Sequence, residues 1–379
     1  MSNYRIPRSL VHLTHQDMRS DIMSRFEHVL LSEYSVGAHV AGEYLEQEFV
    51  KHIGHKYATG VHSATMGMLI GLRACGVAEG DEVITVGNSD ISTTAAIHNV
   101  GASSVLCDIK IDDYTIDPDK VEALITKRTK AILPVDMYGH PSDVKVLRAI
   151  ADKHNLAIVQ DAALALGATD HGLAIGSFAD VAVFSFAPLK PMGSLGNGGM
   201  VATSSPEIHR SIYLLTGYGH SGVFEDLELG YQDHIDEGYN VPIDPFQASL
   251  VSTKLPRLSE WTERRREIVS MYVDQLSGPG LHIPTFRPSS EPTFRCFTIC
   301  VQDRGRILST LRDNGVEAVL HYVPPVYRQS VYKDTMLANS ELPVTDKVTD
   351  SLLCLPVSPE LSDDQVLQVI QIVNDALVS

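Results

Sequence analysis

Positive charge is scarce in this chain. Its 379 residues carry 30 Lys and Arg against 47 Asp and Glu, a formal net charge of −17. Nucleic acid and anionic membrane surfaces are bound through clustered Lys and Arg, so this balance argues against both as partners. Long hydrophobic runs are missing too. No apolar stretch reaches the roughly 20 residues needed to cross a bilayer, and the opening MSNYRIPRSL lacks the apolar core of a secretory signal. Cysteine is sparse and odd in number: Cys75, Cys107, Cys296, Cys300 and Cys354, mostly inside apolar runs. That usage fits buried thiols in a reducing cytoplasm rather than a disulfide framework. Cys296 and Cys300 lie close together in the alternating, strand-like FRCFTIC, and no second pair follows, so no zinc or other metal site is expected. There is no internal repeat and no low-complexity tract.

What is present is an ordinary globular composition, 44% hydrophobic and 20% charged, in a chain long enough for about two domains. Its most informative stretch runs from Leu156 to Thr203. Two apolar runs, Leu156–Val159 and Val181–Phe186, read as buried parallel strands. The first is followed by Asp161. The second comes shortly before Lys190 and the glycine-rich turn Gly193–Gly199. Ligands in open α/β sheets sit at the carboxyl ends of strands. Asp161 and Lys190 therefore fall where a ligand would lie. A lysine can form a Schiff base with an aldehyde. A pyridoxal phosphate (PLP) site also needs a carboxylate beside the pyridine nitrogen to keep the ring protonated. For an arbitrary Asp and Lys the plainer reading is a helix cap and a solvated loop lysine.

The wording around the pair is more specific. DAALALGA, IGSFADVAVFSFAPLK and GSLGNGG resemble the signature of the DegT/DnrJ/EryC1/StrS sugar aminotransferases, PLP enzymes of the aspartate-aminotransferase fold, type I. The resemblance extends almost end to end. It implies an α/β fold, with a large PLP-binding domain over residues 1–245 on a mostly parallel central sheet and a smaller C-terminal α/β domain over 246–379. It also implies a homodimer with active sites at the interface.

Taken in order, Thr14–Ser32 reads as one amphipathic helix with Met18, Ile22, Phe26 and Leu30 on a face, then a loop near Tyr34–His39, then a helix over Glu43–Ile53. Strands are expected at Tyr57–Val61, Glu82–Val86, Ser104–Ile109 and Lys130–Pro134, with helices over Met66–Cys75, Pro118–Thr126 and His209–Gly219. An acidic loop is expected over His220–Glu237 and a long basic helix over Leu255–Gln275. The turn His62-Ser63-Ala64-Thr65 precedes a helix, and a helix N-terminus is an anion site. The family has Ser-Gly-Thr there, holding the cofactor phosphate, so Ala64 and Thr65 inherit that role by resemblance. Ser185 in FSF matches a family serine that also binds the phosphate. Asn240, in GYNVPIDPFQASL, matches one that reaches the phosphate of the neighbouring subunit.

Three positions depart from the family pattern. Asp90 stands where an aromatic stacks on the cofactor ring. Leu164 stands where a Gln lies near the phenolic oxygen, and Pro242 replaces an Arg. His321 and Tyr322, in AVLHYVPPVY, fall where a loop borders the substrate pocket.

The function implied is transamination. Lys190 would hold PLP as a Schiff base and shuttle the proton, and Asp161 would keep the ring protonated. The amino group would pass from glutamate or glutamine, through the pyridoxamine form, to a keto group of a sugar or cyclitol, expected to be nucleotide-linked. Such a reaction belongs to biosynthesis of an amino sugar for an antibiotic, another natural product or a cell-surface glycan. One alternative is another PLP reaction on the same fold, a dehydration or an oxidation, which the three departures invite. Family dehydratases replace the lysine with His, and Lys190 argues against them. The other is a non-catalytic PLP-binding partner protein, which has no need to keep both Asp161 and Lys190.

Overall fold

The computed structural model describes residues 4–32, 36–220 and 234–379, and the statements that follow concern those. Its centre is a seven-stranded sheet. From one edge to the other the strands are Tyr57–Val61, Gly199–Thr203, Val181–Ser185, Ala157–Asp161, Thr129–Ile132, Glu82–Val86 and Ser103–Cys107. Val181–Ser185 and the four strands beyond it pair in parallel. Gly199–Thr203 runs antiparallel to both its neighbours.

Side-chain alternation explains why this sheet is buried on both faces. Val181 and Val183 pack into one core with Val61, Ile84 and Ile158. Ala182 and Phe184 turn to the other, with Phe49, Phe186 and Trp261. Successive strand residues point to opposite faces, so a strand covered on both sides must be apolar throughout. Phe184 and Phe186 meet Phe49 edge-to-face, with centroids 5.2 and 5.5 Å apart. A third core surrounds a small antiparallel sheet of Leu281–His282, Phe297–Val301 and Leu352–Leu355, covered by Arg304–Asp313 and Asp363–Val378. Ile6 closes that core from the other end of the chain, through a bridge to Val316.

Several expected elements move. The helix expected over 14–32 is two, Val11–Asp17 and Arg19–Leu31, broken at Met18. Met18 and Ile22 are buried, but Leu30 is 72% exposed. The apolar face therefore leaves the core before the helix ends. The loop expected at 34–39 is shorter: Val36 already opens the helix Val36–Phe49, and residues 33–35 lie outside the described part. The acidic loop also falls mostly outside it, at 221–233. The helix near 118–126 is only Pro118–Val121 plus a 3-10 turn, Glu122–Leu124. The helix placed at 209–219 begins at Pro206, capped by Ser205, and ends at Thr216. Pro at the first helical position after a Ser cap is the start signal that displaced it. The basic helix is Leu258–Gln275.

Candidate active site

The carboxyl ends of the central strands open into a cavity of ≈ 550 Å³. Ala64, Thr65, Asp90, Asp161, Leu164, Ser185, Lys190, His321 and Tyr322 all line it. Asn240 does not. It is exposed, its backbone bridged to Gly217 just past the helix Pro206–Thr216.

Asp161 ends its strand at the cavity floor and is 5% exposed. Its Oδ1 accepts from the Ala163 amide at 3.1 Å and its Oδ2 from the Thr93 hydroxyl at 3.2 Å. Burial raises its pKa, while Lys190 and these two donors pull the other way. Burial likewise lowers that of Lys190, and Asp161 opposes the change. A carboxylate held this deep, with donors fixed on both oxygens, fits a cationic partner at its open side.

Lys190 sits on a loop pinned at many points. Phe186 N donates to Gly198 O at 2.8 Å, and Ser194 N to Phe186 O at 2.7 Å. From beneath, the buried Lys254 ammonium donates to Gly193 O and Arg265 Nη2 to Pro191 O at 3.0 Å. Gln247 Oε1 accepts from Gly196 N at 2.8 Å.

Across the cavity the helix Ala64–Ala74 begins, with Ser63 as its cap, accepting from Met66 N at 3.3 Å. The Ala64 and Thr65 amides are among those a helix start leaves without an intrahelical partner. The strand at Gly199 passes so close that a Cβ there would lie 2.8 Å from Ala64 N. The Ser185 hydroxyl, on the neighbouring strand, also lines the cavity. These donors fit a phosphate, and Asp161 with Lys190 fits the ring end of PLP. Asp90 is the cap of the helix Ile91–Asn99, its carboxylate accepting from Ser92 N at 2.9 Å.

The cavity also holds Arg8, Ser89, Met137, Tyr138, Asn197 and Arg295, which sequence reasoning missed. Tyr138 has φ = 58° and donates its hydroxyl proton to His321 O at 2.6 Å. The Arg8 guanidinium meets Glu317 at 3.2 Å and His321 Nε2 at 3.4 Å. Burial first, then the positive charges of Arg295 and Arg8, bring His321 down to about 4, so it is neutral. The one usable signal for Arg295 was a lone charge opening an otherwise apolar alternating segment. The five cysteines are all free. No described helix is long and apolar enough to cross a membrane.

Residues 16–374 match the model of the DegT/DnrJ/EryC1/StrS aminotransferase family. The chain is 34% identical over 373 residues to dTDP-3-amino-3,4,6-trideoxy-alpha-D-glucose transaminase of Streptomyces venezuelae, covering 98% of this chain and 96% of that one. It is 32% identical over 336 residues to UDP-N-acetyl-3-dehydro-alpha-D-glucosamine 3-aminotransferase of Acidithiobacillus ferrooxidans, covering 89% and 88%. Its fold superposes on the crystal structure of S. venezuelae DesV in complex with a ketimine intermediate, with a TM-score of 0.91, 32% identity and 98% of both chains covered. The cavity, its lysine and its buried carboxylate agree with these likenesses, and the chain belongs to the DegT/DnrJ/EryC1/StrS family of PLP-dependent aminotransferases.

Proposed function

We propose that this transaminase places an amino group on C3 of a nucleotide-linked keto sugar, with glutamate or glutamine as donor. The observation that carries the reading is the joining of Lys190, Asp161 and the start of the helix Ala64–Ala74 around one cavity. Position 3 is supported by the two relatives, which act there on differently linked sugars.

Bound PLP supplies an electron sink for proton removal from the carbon next to the amino group. Asp161, held by Thr93 and Ala163, would hold a negative charge for the ring nitrogen. The amides of Ala64 and Thr65 and the hydroxyl of Ser185 would anchor the phosphate. Lys190 would move the proton off the donor carbon and later onto the product carbon as general base and acid. The low dielectric around its amine lowers its proton affinity, as that role requires. His321, uncharged, stands at the cavity wall as a hydrogen-bond acceptor.

The active unit in this reading is a homodimer. Asn240 lies outside its own cavity, free to serve the partner's, and Leu30 and Leu31 leave an exposed apolar surface, 72% and 71% accessible. The chain is read as two domains, with residues 248–261 still packing into the sheet's second core and the C-terminal core taking over from Ile268, and with Ile6 lent back across the division. Free cysteines support a cytoplasmic setting.

The test is the absorbance of the PLP-loaded protein before and after L-glutamate, followed by mixing the pyridoxamine form with a dTDP-linked 3-keto sugar. Loss of the visible band, then its return together with a 3-amino product, is expected. A band that ignores both glutamate and glutamine sinks the reading.

A further inference from the structure

Charge inside the cavity is nearly all accounted for. Lys190 and Asp161 face each other across the cofactor place, and both oxygens of Asp161 accept hydrogen bonds. Arg8 is engaged by Glu317 and His321. Two groups remain. The backbone of Arg295 is fixed by its amide donating to Tyr138 O at 2.7 Å, yet its guanidinium lines the cavity with no hydrogen-bond or ion-pair partner among the described residues. Asp90 spends one carboxylate oxygen on the Ser92 amide at 2.9 Å and leaves the other to the cavity. The two do not pair with each other. A cation with no hydrogen-bond partner and an anion with one oxygen unused thus share one cleft beside Lys190, whose charge Asp90 also favours.

We infer that Arg295 and Asp90 form a two-point clamp for the zwitterionic α-amino acid donor, Arg295 taking its α-carboxylate and Asp90 its ammonium. The assignment rests on the transaminase reading and names the residues that select the donor. A guanidinium fork matches a carboxylate through two parallel N–H···O bonds. An α-amino acid carries opposite charges on groups bonded to one carbon, so a clamp of opposite signs fixes that carbon toward Lys190. A nucleotide-linked sugar fits this pair poorly, since its diphosphate is wholly anionic and would face the carboxylate of Asp90. The same pair accounts for two departures from the family pattern. The aromatic expected at position 90 is exchanged for a charge, and the Arg expected at 242 is absent while a cation enters from Arg295.

The experiment uses the PLP-loaded dimer and two conservative variants. Asn caps a helix as well as Asp, so Asp90→Asn keeps the helix start and removes the charge. Arg295→Gln removes the cation, and Arg295→Lys keeps the charge without the fork. Affinity is read by titrating the absorbance with L-2-methylglutamate, which lacks the α-hydrogen and stops before proton transfer. Turnover is read with L-glutamate. Arg295→Gln is expected to raise the Kd for the analogue and the KM for glutamate by ~10- to 100-fold, with kcat changed by less than ~3-fold, the size of losing a charge-assisted contact. Arg295→Lys should fall between, which separates the clamp from misfolding, and Asp90→Asn, which acts on the ammonium before the nitrogen joins the cofactor, should raise the KM for glutamate by ~10-fold. Unchanged KM for glutamate in variants that still bind PLP overturns the clamp. So does a deficit confined to the keto-sugar half-reaction, which would assign Arg295 to the acceptor. A wild-type protein indifferent to every amino acid donor overturns the transaminase reading, and the clamp with it.

Discussion

Thr93 and Asp161 are joined across the cavity floor by a hydrogen bond of 3.2 Å, Thr93 Oγ1 to Asp161 Oδ2. Thr93 has a single hydroxyl proton and gives it to the carboxylate, so its 2.7 Å contact with Ser89 has Ser89 as donor. A chain of oriented hydroxyls therefore ends on the carboxylate proposed to hold the ring nitrogen of PLP. Thr93→Val keeps the shape and removes the donor. It should weaken PLP binding by roughly 10-fold, since a hydrogen bond to a charged group contributes about 1.5–3 kcal/mol. Equilibrium dialysis against PLP measures it, and unchanged affinity would show that Ala163 alone suffices.

Lys190→Ala should abolish turnover and the visible band formed with PLP. Residual turnover above about one thousandth of wild type would place the proton transfer on another group. An added primary amine should restore part of the rate, because it replaces the missing base while the rest of the cavity is intact.

Gly199→Ala places a Cβ 2.8 Å from Ala64 N. The helix start must move outward, and overpacking of this kind costs about 1–3 kcal/mol. Both a lower melting temperature and a ~10-fold or greater loss of PLP affinity are expected if the displaced amides hold the phosphate as proposed. Loss of stability with full PLP affinity would contradict the phosphate assignment.

Glu46 gives stability a pH slope. Burial raises its pKa from 4.5 to about 7, against the pull of the Gly60 amide it accepts from at 2.7 Å. Between those values the folded chain holds a proton that the unfolded chain has released. The group's contribution is therefore full below about pH 4.5 and is lost as pH rises through about 7. Glu46→Gln keeps an acceptor for Gly60 and cannot ionise. Chemical denaturation at pH 5 and pH 8 should show the variant gaining on wild type at the higher pH, on the order of 2 kcal/mol. Parallel profiles would mean that Glu46 titrates normally.

The central sheet was legible because strands covered on both faces must be mostly apolar, as Val181–Ser185 and Glu82–Val86 are, apart from Ser185 at the cavity end and Glu82 and Thr85. The N-terminal helices were less so. Leu30 keeps the helical spacing of Met18 and Ile22 but lies in the open, and periodicity records spacing rather than the extent of what it packs on. Within the site, residues inside recognisable motifs were found: Asp161, Lys190, Ser185 and the turn at Ala64. Tyr138 and Arg295 were not, because they reach the cavity through a backbone contact between segments 157 residues apart in the chain, Arg295 N to Tyr138 O. Asp90 was read as a missing aromatic. Its capping bond to Ser92 shows what the new side chain does for the helix, while its free oxygen bears on recognition.

The antiparallel strand Gly199–Thr203 has one more consequence. Because Ser185 and Gly199 are direct partners in the ladder, the segment between them returns to where it left, unlike helical crossovers such as Val144–His154, which joins Thr129–Ile132 to Ala157–Asp161. A crossover helix absorbs an inserted residue by sliding. Here the two anchors are fixed by sheet register, and a slip of one residue would turn each strand's side chains to the wrong face. The length of the Lys190 segment is thus set by the sheet, and indels should be tolerated far less there than at the outer ends of the helices. An engineer wishing to alter this enzyme's reach toward larger acceptors has freedom elsewhere around the cleft, but not in the clasp that carries its lysine.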